Sequence, residues 1–267
     1  MAPPGAVGHR ELPMRLTALA LVIAVAPAAA HASPPAASAN AHRAPTAATA
    51  RNSGAERFAQ VRRAAEAQVA QWKTRAPQLD VSWRADLAGP TMILDTGDQL
   101  DPARMQDQGL AWAQKHAELW GISAADLQVL QIQTVAKRTT LRLTQTVLVA
   151  GKRVPVLDRG LNLTMDAKGQ LISVTADLQP VAQLATARVA QNDAKKAAVK
   201  AALGARDDHG LPVERVQVCE LAVIAGPSEA KLVWAADVVV QPLTDRRAVL
   251  VDAETGAVLS QRQTVLH

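Results

Sequence analysis

The sequence predicts an α+β protein of two units, each an antiparallel sheet packed with one or more helices. Three observations predict it. Phe58, Val61, Ala65, Val69 and Trp72 recur at three- and four-residue steps, the stripe of a helix that packs on one side. Leu161, Leu163 and Met165 alternate with Asn162, Thr164 and Asp166, the period-two mark of a half-buried strand. After residue 189 the order of helix followed by strands comes round a second time.

Residues 1–32 read as an export signal. Met14-Arg15 supplies a positive start, 16–30 is apolar, and Ala30-His31-Ala32 is a small-x-small site, so cleavage is expected between Ala32 and Ser33. Pro3, Pro4 and Glu11 do not suit such a start, which points to Met14 as the first residue. The apolar run is broken by Pro27 and is shorter than the roughly 20 residues of a membrane span, so no stable span is expected. No cysteine lies near the cleavage site to carry a lipid. The mature protein is therefore expected to be exported, either periplasmic or secreted. Residues 33–54 are mostly Ala, Pro, Ser, Thr and Asn with little to bury, and read as a disordered linker. The first helix then covers 55–76 and Pro77 stops it.

Residues 79–94 look extended, with a break at Gly89-Pro90. Asp101-Pro102 starts a second helix, a capping carboxylate followed by proline at the first helical position. It is expected to reach Trp120, with Gly121 as a left-handed stop. Met105, Trp112, Ala113, His116 and Trp120 share one stripe, which makes His116 a packed histidine. Strands follow over 127–136 and 140–149, separated by Lys137-Arg138-Thr139. Pro155 predicts an edge or loop over 154–157, because proline donates nothing to a central ladder. Asp166-Ala167-Lys168-Gly169 turns the chain, and 171–178 returns as the partner strand. Residues 180–188 form a linker. The second unit has a helix over 192–203, closed by Gly204, and β segments over 213–225, 231–241, 247–251 and 257–265. Asp252-Ala253-Glu254-Thr255-Gly256 echoes the earlier turn from Asp166 to Gly169.

Several chemistries are excluded. The net charge is +5, 29 basic against 24 acidic residues, with no Lys/Arg block, so nucleic acid is not an expected partner. Cys219 is the one cysteine; it forms no internal disulfide and lies in an apolar run, where it reads as a small buried hydrophobe. The six histidines, at 9, 31, 42, 116, 209 and 267, are far apart and no His-Glu-x-x-His occurs, so no metal site is expected. No Gly-x-Ser-x-Gly elbow, phosphate loop or dinucleotide fingerprint is present. Asp207-Asp208 beside Gly210 and Pro212 reads as a solvated loop, and Asn162-Leu163-Thr164, a formal glycosylation acceptor, as strand. The chain is expected to be no enzyme, with no catalytic, metal-binding or cofactor-binding residue.

Thr140-Leu141-Arg142-Leu143-Thr144-Gln145, then Val154-Pro155-Val156, Gly160-Leu161-Asn162-Leu163 and Lys168-Gly169 follow one another in order. Together with the helix end Glu118-Leu119-Trp120-Gly121-Ile122 they resemble the fungalysin/thermolysin propeptide domain, over 77–180. Leu232-Val233-Trp234-Ala235 and 249–259, which contains Asp252 and Gly256, resemble the PepSY domain that follows in such precursors, over 189–267. Arg153 stands where the family carries Gly, and Val156-Leu157-Asp158-Arg159 lacks the family's aromatic. The chain ends eight residues after Leu259, about where such a precursor is cut, and the protease domain is expected to be absent from it. The resemblance implies a non-catalytic, propeptide-like folding chaperone and inhibitor of a secreted thermolysin-like zinc metalloprotease. That protease is met in trans or was a C-terminal domain now missing. Its motif positions here are Arg142, Gln145, Val154, Pro155, Val156, Gly160, Asp252 and Gly256. Arg142 and Gln145 serve either as strand-surface contacts or as hydrogen-bonding groups within the sheet. The alternative is a periplasmic or cell-surface protein-binding module unrelated to protease control.

Overall fold

A computed structural model describes residues 47–181, 184–204, 213–227, 229–240 and 245–264. The export signal, its cleavage point at Ala32 and Ser33, residues 33–46 and the Asp207-Asp208 loop lie outside them.

The first helix, α1 (Ala47–Arg75), starts inside the stretch expected as a linker, where Ala47, Ala48 and Ala50 favour helix. Its stripe holds as read: Ala65, Val69 and Trp72 are buried. Arg62 on its flank donates to the carbonyls of Arg84 and Leu87 and lies over the Trp83 ring at 4.2 Å. Those contacts fasten α1 to the hairpin of β1 (Asp80–Trp83) and β2 (Pro90–Leu94).

The single helix expected up to Trp120 is in three pieces. Asp101 accepts from the Ala103 amide and opens a 3-10 turn, Pro102–Arg104. Then come α2 (Met105–Lys115) and a second 3-10 turn, Ala117–Trp120. The break at His116 turns Trp120 toward β2, where its indole N–H donates to the Pro90 carbonyl at 2.8 Å. Gly89 makes room for this ring, since a Cβ there would lie 2.3 Å from it. Gly121 is the left-handed stop, at φ 65°.

The remaining strands are β3 (Leu127–Val135), β4 (Arg138–Val149), β5 (Lys152–Met165), β6 (Leu171–Ala176), β7 (Val213–Ala225), β8 (Ala230–Val240), β9 (Asp245–Asp252) and β10 (Val258–Thr264). A third helix, α3 (Gln191–Gly204), precedes β7. The expected pair of sheets is joined into one curled, mixed sheet ordered β1-β2-β6-β5-β7-β8-β9-β10, with β4 and then β3 branching from β5. Its neighbours are antiparallel except β5 and β7, which meet in parallel at Val156 and Val223. Pro155 is a correction: it sits in the run of β5, opposite Thr146 and beside a register shift between Thr144 and Thr146. A proline is tolerated at such a bulge because the ladder is already interrupted there.

One core lies between α1, α2 and the sheet, built on Leu141, Leu161, Leu163 and Val174. A second buries Ala194, Ala198 and Ala202 of α3 against Ala236, Val238 and Val249. A third gathers Val147, Val154 and Val156 with Val223, Leu232 and Ala253, at the junction of the two halves of the sheet. Val181, Leu184 and Ala187 of the expected linker pack on that junction, where the Arg188 and Val189 amides both donate to the Ala253 carbonyl.

Candidate functional site

Helices α1 and α2 cover one face of β2–β6, and the opposite face carries hydroxyls and amides. Thr140 and Thr164 lie 3.1 Å apart through their Oγ1 atoms, and the Asn162 amide reaches the Thr175 hydroxyl at 3.2 Å. Into this face opens a groove of about 600 Å³, lined by three arginines (Arg84, Arg142, Arg159), two aspartates (Asp158, Asp177) and the apolar Leu130.

The bend of β5 shapes the groove. Asp158 has φ 55°, a left-handed conformation that its short polar side chain tolerates. Gly160 follows at a close approach, where a Cβ would lie 2.5 Å from the Leu143 carbonyl oxygen. Between them Arg159 donates to Asp177 Oδ1 and to the Ala225 carbonyl, both at 2.7 Å. It thereby ties β6 to β7, and its Nε is buried without a partner. Arg84 pairs with Asp86. Arg142 is exposed and makes no hydrogen bond or ion pair among the described residues. It is the cation of the groove that remains available.

Structure separates the motif positions by role. Gln145 is fully buried: its Nε2 donates to the Gln179 carbonyl at 2.6 Å, and its Oε1 accepts from the Gln179 amide. The pair imitates a strand ladder and holds the chain after β6. Val154 and Val156 are buried in the junction core, while Pro155 is exposed at the groove. Asp252 and Gly256 lie elsewhere, at the β9–β10 turn. There Asp252 Oδ1 accepts from the Glu254 and Thr255 amides at 2.8 and 2.9 Å. Burial pushes the Asp252 carboxyl up, but those amides outweigh it and leave the carboxyl below its ordinary value. Thus Arg142, Pro155 and Gly160 meet in one groove, and Asp252 and Gly256 do not join them.

Arg84, Arg159, Asp177 and Leu130 escaped the sequence reading. An arginine directly before the motif glycine Gly160 was the signal available for Arg159. His116 is packed as expected, though against Trp72 (4.8 Å, stacked) as well as Trp112 (4.5 Å). Cys219 is buried, which pushes its thiol up. Among the described residues no three His, Cys, Asp or Glu side chains gather as for a metal, and no helix is long and apolar enough to cross a membrane.

No protein-family model matches the chain, and no curated protein matches it. Among solved structures it is similar to the Bacillus megaterium YpeB C-terminal domain, at 12% identity over 71% of this chain and 76% of that one, with a TM-score of 0.36. It is also similar to the YpmB protein from Bacillus subtilis, at 18% identity over 59% of this chain and 97% of that one, with a TM-score of 0.21. Both likenesses are distant and concern shape alone. The propeptide resemblance rests on the motifs quoted above.

Proposed function

We propose that this chain is an exported, non-catalytic, propeptide-like protein. It assists the folding of a secreted thermolysin-like zinc metalloprotease and inhibits it by holding an extended segment at the open face of the sheet. One observation carries this reading. Among the polar motif residues, Gln145 and Asp252 spend their side chains inside the fold, whereas Arg142 stands exposed and unpartnered in the groove. A charged group held ready beside an apolar residue, Leu130, suits recognition of a peptide rather than chemistry on it.

The test pairs two measurements on the co-encoded protease: inhibition of peptide hydrolysis, and the yield of active enzyme when denatured protease is refolded with the chain. Wild type is expected to inhibit at micromolar concentration or below and to raise the yield. Arg142→Ala, with an unchanged melting temperature, is expected to weaken inhibition by about tenfold, as for one charge-assisted contact. Absence of binding at micromolar concentration would instead leave a periplasmic or cell-surface protein-binding module.

A further inference from the structure

Among the described residues, three strands end the sheet with one side unpaired: β1, β10 and β3. β1 is four residues long and carries Asp80, and β10 carries Arg262. β3 differs from both. It is nine residues long, Leu-Gln-Val-Leu-Gln-Ile-Gln-Thr-Val, without a charge, a proline or a glycine. Its Leu130, Ile132 and Val135 are 61, 40 and 59% exposed. Edge strands are ordinarily blunted by charge or proline, because a row of free amides and carbonyls invites another strand. Apart from the register shift between Val129 and Gln131, β3 carries no such guard.

The strand behind it indicates which occupant fits. In the β3–β4 ladder Arg142 stands opposite Gln131, Thr140 opposite Gln133 and Arg138 opposite Val135. These residues share the open face, because the alternating Leu141 points into the helix-covered core. Both arginines are exposed, and neither has a hydrogen bond or ion pair among the described residues. Four residues apart, they lie about 13 Å from each other along the strand. A strand added to β3 would run roughly 10 Å from β4, two strand spacings away. Long arginine and glutamate side chains can bridge that distance over the uncharged Gln131 and Val135.

We infer that β3 accepts an extended acidic segment as an added strand, with two carboxylates four residues apart on one face pairing with Arg142 and Arg138. The inference rests on the reading that this face holds a segment of a partner protein, and it states the chemistry of that segment. A second copy of this chain fits less well, since its own β3 offers no charge to either arginine.

The probe is a fluorescent eleven-residue peptide of alternating Thr and Val with Glu at positions i and i+4, titrated against the exported chain by anisotropy. Binding is expected in the micromolar range, and about tenfold weaker when the second Glu moves to i+3, on the other face. Arg142→Gln and Arg138→Gln should each weaken it by a similar factor. N-methylation of alternate peptide amides should abolish binding on one edge of the peptide and spare it on the other. Equal binding of the two spacings, or indifference to N-methylation at both edges, would mean charge attraction alone and overturn the proposal. So would a dimer in sedimentation that Ile132→Lys dissolves, for the edge would then belong to a second copy. No protease enters this assay. Peptide binding without protease inhibition defeats only the protease reading, and inhibition without peptide binding defeats only the acidic strand.

Discussion

His116 lies flat on Trp72, with ring centroids 4.8 Å apart, and Trp112 packs against both rings, 4.5 Å from His116, while donating its indole N–H to Asp98. Burial lowers the imidazole pKa, against the opposing pull of the Asp98 carboxylate, so the fold prefers the neutral ring. The sign follows. Above the ordinary value of 6.5 both folded and unfolded chains hold His116 neutral, and the stack contributes fully. As the pH falls below that value the unfolded chain takes up the proton first, and stability is lost until the folded ring also protonates. Urea denaturation from about pH 7.5 to 5.5 should show this slope in wild type, and His116→Phe, which keeps the stack, should lack it. Parallel stability curves for the two would refute the account. The packed role of His116 was legible from its spacing to Trp112. Its principal partner was not, because Trp72 belongs to a different helix.

Two turns, after β5 and after β9, solve one problem with one device. Asp166 Oδ1 accepts from the Lys168 and Gln170 amides, as Asp252 Oδ1 accepts from those of Glu254 and Thr255. Each turn then uses a left-handed glycine, Gly169 at φ 85° and Gly256 at φ 78°. The shared Asp-Ala…Gly string was visible in the sequence because turn chemistry is local. The surroundings were not visible, and they separate the two positions. A Cβ on Gly169 would lie 2.0 Å from the Leu100 carbonyl oxygen, whereas one on Gly256 meets only Val189 at 3.6 Å. Gly256→Ala should therefore cost about 1–2 kcal/mol, the strain of a left-handed alanine. Gly169→Ala should cost roughly 3 kcal/mol or more, because backbone must also move. Equal losses in chemical denaturation would show that the Leu100 contact yields without cost.

Whether the molecule unfolds as one body depends on the junction where β5 meets β7. Val156 and Val223 make the parallel bridge, and Arg159 spans from Asp177 to the Ala225 carbonyl. Val156→Ala should cost about 1–3 kcal/mol through the cavity it leaves. Combined with Arg159→Ala, it should split a single calorimetric transition into two. One sharp transition in the double variant would show that the docked linker and the junction core suffice to couple the halves. Residue pattern alone was enough to place most of the elements: the α1 stripe, the alternation of β5, the Asp101 and Gly121 helix signals and the two aspartate turns. Each depends on neighbours within a few positions, which is the range over which period and turn chemistry act. Long-range contacts settled the rest. They broke the second helix at His116 so that Trp120 reaches Pro90, and carried β5 straight through Pro155 at a bulge. They joined two expected sheets into one through Val156 and Val223. They also buried Gln145 against Gln179, 34 residues away, while leaving Arg142 three positions earlier in the open groove. Strand alternation already puts these two side chains on opposite faces, but which face is covered depends on what the folded chain brings against it, and local pattern does not encode that.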